Sequence, residues 1–474
     1  MRGFPSYAIA LLVCVTALVG GADRAVADDR TEDRLKALED RIRVQDEEIG
    51  KLRSELAETR RGSEDFESQL DEYFGKLEEE GAWQEPGTLL PQWSKGTRLS
   101  SNDKQTEIKF GGRVMIDLAW FDPSNRMKEN LGEFPNSSGE FRRARLYVSG
   151  TIYGNVFFKA QYDFAGGDVD WKDVYLGLKK VPVVGNIRVG NQKVPFSLEE
   201  LTSSKYITFM ERALPVEAFA PSRKLGIAVY NSELEGNLNW ALMWFTGSDD
   251  YGDSKSALES SFAGRVAWAV VNEDKGRDLI HLGVSLVYRD PLSDSARYRA
   301  RPSAHLSPHR IVDSKSFGVD DAMLFGFEFA WVMDSLSVQL EWMYVSNNSN
   351  DDSGDPNFMG GYVYVSYWLT GEHRPYKKGT FSRVKPSENL TADGGMGAWE
   401  LALRYARVDL DDFPNTRVEG EPVYGDVLTG AQNITFGVNW HWNPNTRMMF
   451  NYVWNDTDDV GGLNVFEIRF QIDF

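Results

Sequence analysis

Phe466-Glu467-Ile468-Arg469-Phe470-Gln471-Ile472-Asp473-Phe474 closes the sequence. Phe466, Ile468, Phe470, Ile472 and Phe474 fall on one side of an extended chain, and polar residues alternate with them. A period of two is the signature of a strand with one apolar face. An ordinary terminal strand has no need to end on an aromatic ring. A final amphipathic strand that ends in Phe is the address recognised by the barrel-assembly machinery of outer membranes. These five residues are therefore the candidate assembly signal.

The same period governs everything upstream to Thr106. Ile108, Phe110, Val114, Ile116, Leu118 and Trp120 share one face, and Lys109, Arg113 and Asp117 share the other. This alternation outlasts an ordinary strand and is long enough to cross a bilayer at a tilt. Further strands are expected near 141–153, 155–165, 171–179, 186–194, 223–231, 237–246, 261–272 and 278–289. Others are expected near 322–333, 335–346, 361–370, 397–409, 432–443, 446–455 and 463–474. With the first they make sixteen, an even number that leaves both ends on one side. Short turns at Gly154, Lys180 to Gly185, Asp334 and Asn443 to Asn445 alternate with long loops at 122–140, 195–222, 290–321 and 347–360. Two features strain the count. The connection from Gly371 to Met396 is long for a short-turn end, and Ala296 to Arg301 could form another strand. No repeat of fixed length supports a propeller.

Composition agrees. The 474 residues have 13% aromatics, 14 of them Trp, and a mean hydropathy of −0.42. Aromatic belts use such residues, and a barrel turns only every second strand residue to lipid. The net charge of −19 excludes the basic footprint of a nucleic-acid binder. Cys14 is the one cysteine, so disulfides are excluded.

The N-terminal quarter is different. Arg2, an apolar run from Tyr7 to Gly20 and Ala25-Val26-Ala27 read as a signal peptide over residues 1–27. Val13 stands where a lipobox needs a small residue, so lipidation at Cys14 is not expected. Residues 28–80 are expected to form a periplasmic α-helical coiled coil. Leu35, Ile42, Ile49 and Leu56 occupy a positions, and Leu38, Gln45, Leu52 and Thr59 occupy d positions. The flanking pairs Arg34–Glu39, Arg41–Asp46, Glu48–Arg53 and Glu55–Arg60 are all opposite in sign, which favours parallel association. Residues 81–105, with Pro86 and Pro91, read as a linker to a barrel over 106–474. The expected fold is thus an all-β transmembrane barrel of 16 antiparallel strands behind an N-terminal coiled coil.

Several stretches within the barrel resemble the phosphate-selective porin O and P family. They are Phe141-Arg142-Arg143-Ala144-Arg145, GNQKVPFSLE from Gly190, LTSSKYITFMER from Leu201, and LTGEHRP from Leu369. Residues 381–386 and NPNTRMMFNY from Asn443 complete the set. The resemblance runs from about Ile108 to Phe474 and implies a trimeric sixteen-stranded barrel. It also implies a third outer loop that folds inward, and arginines and lysines that pass phosphate or polyphosphate.

Charge patterning gives a reading of its own. On the polar face, strands one to nine carry Lys109, Arg113, Arg143, Arg145, Lys159, Arg188, Lys224, Arg265 and Arg289 against Asp117, Asp163 and Asp173, a net of +6. Strands ten to sixteen carry Arg404, Arg447 and Arg469 against Glu328, Glu341, Glu400, Glu467 and Asp473, a net of −2. Basic rings select anions, and the guanidinium fork matches phosphate oxygens. The candidate anion-pathway residues are Arg143, Arg145, Lys159, Arg188, Lys205, Arg212, Arg223, Lys224 and Arg265, with Arg142 expected to point elsewhere. The third loop also holds Glu199, Glu200, Glu211 and Glu217, less basic than a strict phosphate channel requires.

The expected function is passive diffusion of small anions across the outer membrane of a Gram-negative-type bacterium, with phosphate or polyphosphate as candidate solutes. A weakly selective porin and a structural anchor tied to the cell wall through the coiled coil are the alternatives. Expected partners are two further copies of the chain, lipid and the assembly machinery. No enzyme, cofactor or metal is expected. His281, His305, His309, His373 and His441 form no acid–base or ligand constellation, and the Asp- and Asn-rich segment 347–357 reads as a solvated loop tip rather than a Ca²⁺ site.

Overall fold

A computed structural model describes residues 97–247, 260–291, 294–351, 354–412, 427–458 and 460–474. It also describes 89–92, 417–418, 421–422 and isolated positions 43, 47, 50, 51, 69 and 72. The chain divides into two compact units, Met1–Gln84 and Glu85–Phe474. In the first, the six isolated positions are helical and exposed. The expected signal peptide and the apolar heptad positions lie outside the described residues.

In the second unit, sixteen antiparallel strands close on themselves. They are β1 (Glu107–Pro123), β2 (Ser137–Ile152), β3 (Val156–Asp163), β4 (Asp170–Val181), β5 (Gly185–Lys193), β6 (Arg223–Glu233), β7 (Leu238–Phe245) and β8 (Ser261–Glu273). They continue as β9 (Asp278–Arg289), β10 (Asp321–Met333), β11 (Leu336–Asn348), β12 (Asn357–Trp368), β13 (Ala398–Asp409), β14 (Gly430–Asn443), β15 (Thr446–Thr457) and β16 (Gly461–Asp473). Each pairs with the next, and β16 returns to β1 with Asp473 opposite Arg113. A lipid-spanning sheet must close this way, because an open edge would bury unpaired N–H and C=O groups in hydrocarbon.

Alternation sets the inside and the outside. In β16, Phe466, Phe470 and Ile472 are exposed on the outer face, while Glu467, Arg469, Gln471 and Asp473 are buried inside. Aromatic pairs mark both rims: Trp120–Phe466 toward the long loops, and Trp399 stacked on Trp440 at 4.9 Å toward the short turns. Among the described residues no helix is long and apolar enough to cross a membrane.

Phe474 sits at the seam. Its backbone exchanges hydrogen bonds with Gly112 at 2.9 and 3.2 Å, and a Cβ at Gly112 would lie 2.6 Å from the Phe474 ring. Only glycine admits that approach. Deleting Phe474 removes both bonds and the ring that covers the seam. The expected result is loss of the heat-modifiable folded band from outer-membrane fractions. A normal band would show that closure and assembly need no terminal aromatic.

One expectation is corrected, and one open possibility does not arise. The linker is not wholly irregular: Leu89–Gln92 pairs with Arg98–Ser101, which pairs in turn with the start of β1. The segment from Ala296 to Arg301 adds no barrel strand. It forms two-residue pairings, Ser295–Ala296 with Phe317–Gly318 and Arg299–Ala300 with Val312–Asp313, inside the loop between β9 and β10.

Three connections enter the barrel. The loop after β5 carries short helices at Leu198–Leu201 and Leu214–Phe219. Its Phe196, Phe209, Leu214, Val216 and Phe219 form one apolar cluster with Met343, Phe358, Tyr362, Tyr364, Ala402 and Ala406 of the far wall. Tyr298, Ala300, Ile311 and Phe317 of the β9–β10 loop join it. From the short-turn end, the long connection after β12 sends in a hairpin, Tyr376–Lys377 with Thr380–Phe381. Tyr376 and Phe381 pack on Leu198, Leu279 and Val332. The lumen along β9 to β14 is thereby filled with protein.

Candidate functional site

What remains open lies against β1 to β6. A cavity of about 750 Å³ runs there. Its lining holds Lys109, Arg113, Arg142, Arg143, Arg145, Lys159, Lys172, Lys179, Arg188, Lys193, Lys205, Arg212 and Arg223. The acids lining it are Glu107, Asp173 and Glu200. Thirteen bases against three acids leave +10 in a chain of net −19. The wall is polar and basic because alternate residues of β1 to β5, with Arg223 of β6, face it, and the insertions cover the opposite, more acidic wall.

The candidate residues separate into groups by their partners. Arg145 is paired with Asp163 at 2.6 Å, and Asp173 takes both Lys159 at 2.5 Å and Arg223 at 2.7 Å. Lys205 reaches Asp473 at 3.0 Å. Arg212 pairs with Glu200 at 2.9 Å and donates to the carbonyls of Glu199, Glu200 and Thr202, which holds the loop in its folded path. Arg143 is 3% exposed and lies 3.8 Å from Glu211, a loose contact. Arg188 lies between the rings of Tyr175 and Tyr230, 4.8 and 5.1 Å from their centroids, with its Nε on the Gln192 side chain.

Two candidates lie elsewhere. Lys224 pairs in register with Gln192 but is not among the residues lining this cavity; its neighbour Arg223, at the strand end, turns in to reach Asp173. Arg265 belongs to an adjoining chamber, and its guanidinium is committed to Glu328 at 2.8 and 2.6 Å. Arg142 is a correction in the opposite sense. Met115 pairs with Arg143 and Ile116 with Phe141, so Arg142 is the extra residue of a β-bulge. The bulge lets Arg142 and Arg143 both face inward while Phe141 stays 61% exposed on the outside.

Arg113 matters more than its omission from the candidate set suggests. It is 6% exposed and donates to Ser204 Oγ at 2.7 Å. Among the described residues no carboxylate lies within 4 Å of it or of Arg188. The alternation of β1 already put Arg113 on the polar face. What the sequence could not supply was that no acid arrives opposite it.

The loop acids are accounted for one by one. Glu199 accepts from Ala213 N at 2.9 Å and faces Arg404 at 3.6 Å, away from the cavity. Glu217 pairs with Arg310 at 2.8 Å. Glu211 takes Arg142 in a two-pronged contact at 2.8 and 2.9 Å, and Arg469 at 2.7 Å. Burial pushes the Glu211 carboxyl up, but Arg142, Arg143 and Arg469 together outweigh it and hold it well below the usual carboxylate range. Only Glu200 of the four lines the main cavity. Among the described residues no cluster of His, Cys, Asp and Glu could hold a metal ion.

This barrel has relatives. An uncharacterised protein of Caulobacter vibrioides is 29% identical over 331 residues, which are 68% of this chain and 64% of that one. Porin O of Pseudomonas aeruginosa is 27% identical over 399 residues, 78% of this chain and 87% of that one. Among solved structures, an anion-selective porin from Comamonas acidovorans superposes with a TM-score of 0.48 at 13% identity, over 78% of this chain and all of that one. The family model described as phosphate-selective porin O and P matches residues 108–474, and the chain belongs to that family.

Proposed function

We propose that the chain is an outer-membrane porin through which small anions, phosphate among them, diffuse passively along the cavity beside β1 to β6. The observation that carries this is the excess of ten positive charges on its lining. A narrow passage walled by one sign of charge concentrates the opposite ion and repels its own. Glu211, Asp163, Asp473 and Asp170 pair with Arg142, Arg145, Lys205 and Lys172 from outside the lining and lower the excess to six without cancelling it, while Glu199 and Glu217 face arginines elsewhere. Charges more than about 8 Å from the passage act weakly, since screening in ~0.15 M salt removes effects beyond that distance.

The N-terminal segment is proposed as a parallel coiled coil in the periplasm that joins three copies, on the strength of its four matched charge pairs. A tether to the cell wall through that coil is a further part of this proposal. The barrel supplies a conduit rather than a catalytic centre.

The test is the zero-current potential of the purified protein in a planar bilayer under a KCl gradient. A potential of the sign for Cl⁻ preference is expected, larger in dilute salt. Preference for K⁺ would overturn anion selectivity.

A further inference from the structure

The cavity is not a single tube. A side chamber of about 340 Å³ opens from it at the short-turn end, and the two share Arg188, Lys193 and Leu201. Its other bases are Lys378 and Arg265, the latter paired with Glu328 at 2.6 Å; no acid lines it, and Glu200 stands 3.4 Å from Lys193. Its remaining walls carry proportionally more apolar surface than the main cavity, where Tyr147, Tyr175, Phe157 and several Ser, Thr and Gln stand among many charges. Asn186, Ser232 and Asn239 bring neutral hydrogen-bonding groups, while Leu201, Tyr230 and Ala241 bring apolar surface. The registers Ala241 with Tyr230 and with Arg265 put these three on one inward face.

Inorganic phosphate uses none of the second kind of wall. It needs donors and positive charge, which the main cavity supplies throughout. A chamber within the roughly 300–1,000 Å³ range of small-molecule sites, basic at its mouth and amide-, hydroxyl- and ring-lined within, matches an anion that carries an organic body. The neutral groups select that body. Ser232 Oγ donates to Asn239 Oδ1 at 2.7 Å, and Asn239 Nδ2 reaches the Gly236 carbonyl at 2.8 Å. This fixes a short row of polar groups that can exchange hydrogen bonds with hydroxyls. Tyr230, whose ring centroid lies 5.1 Å from the Arg188 guanidinium, offers its ring to a sugar face.

We propose that this chamber is a subsite for phosphate monoesters of polyhydroxylated carbon skeletons, sugar phosphates by chemical class. The phosphoryl group sits at the mouth on Arg188 and Lys193, and the hydroxylated body enters between Tyr230, Ser232 and Asn239. The hairpin turn at Lys378 and Gly379, fixed by Arg265 donating to the Gly379 carbonyl at 3.0 Å, forms the wall on the far side. The subsite rests on the anion-pore reading and adds a substrate class to it.

The experiment measures block of Cl⁻ current through the full-length protein in planar bilayers. The blockers are inorganic phosphate, glucose 6-phosphate and free glucose, with Ala241→Trp and Ser232→Leu as variants. Both substitutions fill the chamber and leave the charged lining intact. Glucose 6-phosphate is expected to block the unaltered pore at about tenfold lower concentration than inorganic phosphate, the equivalent of one or two added hydrogen bonds. Free glucose is expected not to block. Either variant that retains wild-type KCl conductance, and hence its barrel, should lose that tenfold advantage while its block by inorganic phosphate changes less than about twofold. Equal block by ester and phosphate in the unaltered pore would overturn the subsite and leave the anion pore standing. So would an advantage that survives both substitutions. Failure of both anions to block, together with K⁺ preference, would remove the pore reading and the subsite with it.

Discussion

Replacing Arg113 and Arg188 together with glutamate is expected to lower the Cl⁻ over K⁺ permeability ratio by about tenfold in dilute salt, because charges inside a narrow passage act at full strength on ions within one screening length. These two arginines face no carboxylate within 4 Å among the described residues, so their fields are not spent on a neighbour. Arg113 sits beside Ser204 of the inserted loop, and Arg188 stands at the mouth of the side chamber. The exchange takes the lining from +10 to +6 and plants a negative charge at two points on it. Folding should survive. Arg113 holds Ser204 by a hydrogen bond and has no ion pair within 4 Å among the described residues, so its exchange breaks no salt bridge. The contrasting double variant is Arg143→Ala with Arg145→Ala. It strips Asp163 of its 2.6 Å cationic partner and leaves a buried carboxylate with only backbone N–H donors, so it costs stability as well as selectivity. Its expected fall in anion preference is smaller, about threefold, because alanine removes charge without reversing it. Reversal potentials for both variants at 0.1 and 1 M KCl check this. An unchanged ratio in the glutamate variant would mean that the current runs past neither residue.

The barrel was legible because a lipid-facing strand leaves little choice of pattern. Hydrocarbon outside and polar lumen inside force the period of two, and the sixteen expected strands correspond to the sixteen observed. The terminal run to Phe474 and the short turns followed from the same constraint. The site was less legible wherever a local irregularity broke the period. At Arg142 the bulge adds one residue, so strict alternation sent it outward when both it and Arg143 face in. At the start of β6 alternation favoured Lys224, but the side chain of Arg223 folds over to Asp173. The filling of the lumen was hidden for another reason. The acids on β10 to β16 were counted as a mixed wall facing water, yet the inserted loop covers them. Glu341 accepts from the N–H groups of Leu198 and Glu199 at 3.0 and 2.8 Å, and Asn439 binds the Thr208 carbonyl at 2.8 Å. Such pairings join residues more than a hundred positions apart. Nothing in local spacing encodes them, though the long connection from Gly371 to Met396 was a visible sign that something enters from that end.

The inserted loop owes its position to a few charged contacts, and Glu211 bears the most. It receives Arg142 from β2 and Arg469 from β16, two strands on either side of the β1 seam, while its backbone carbonyl receives Arg404 from β13 at 3.0 Å. Met210, next to it, accepts from Arg469 through its carbonyl. Replacing Glu211 with glutamine keeps the shape and removes the charge. Arg469 retains Asp117 at 2.6 Å, but Arg142 and Arg143 lose their opposing carboxylate and are left as adjacent cations in a site 12% exposed or less at Glu211 and Arg143. Breaking a buried pair from one side costs about 3–5 kcal/mol, and here the loop bears it, since the strands are held by their own ladder. Glu211→Gln should therefore fold as a barrel and loosen within. The expected signs are larger and noisier single-channel conductance, increased preference for Cl⁻ from the freed arginines, and new trypsin cleavage after Lys205 or Arg212. A second substitution, Arg142→Gln, removes the excess cation and should restore part of the quiet conductance, as coupled residues do in a double-mutant cycle. A Glu211→Gln channel with wild-type conductance, noise and protease resistance would show that the apolar packing of Phe209, Leu214 and Phe219 alone fixes the loop.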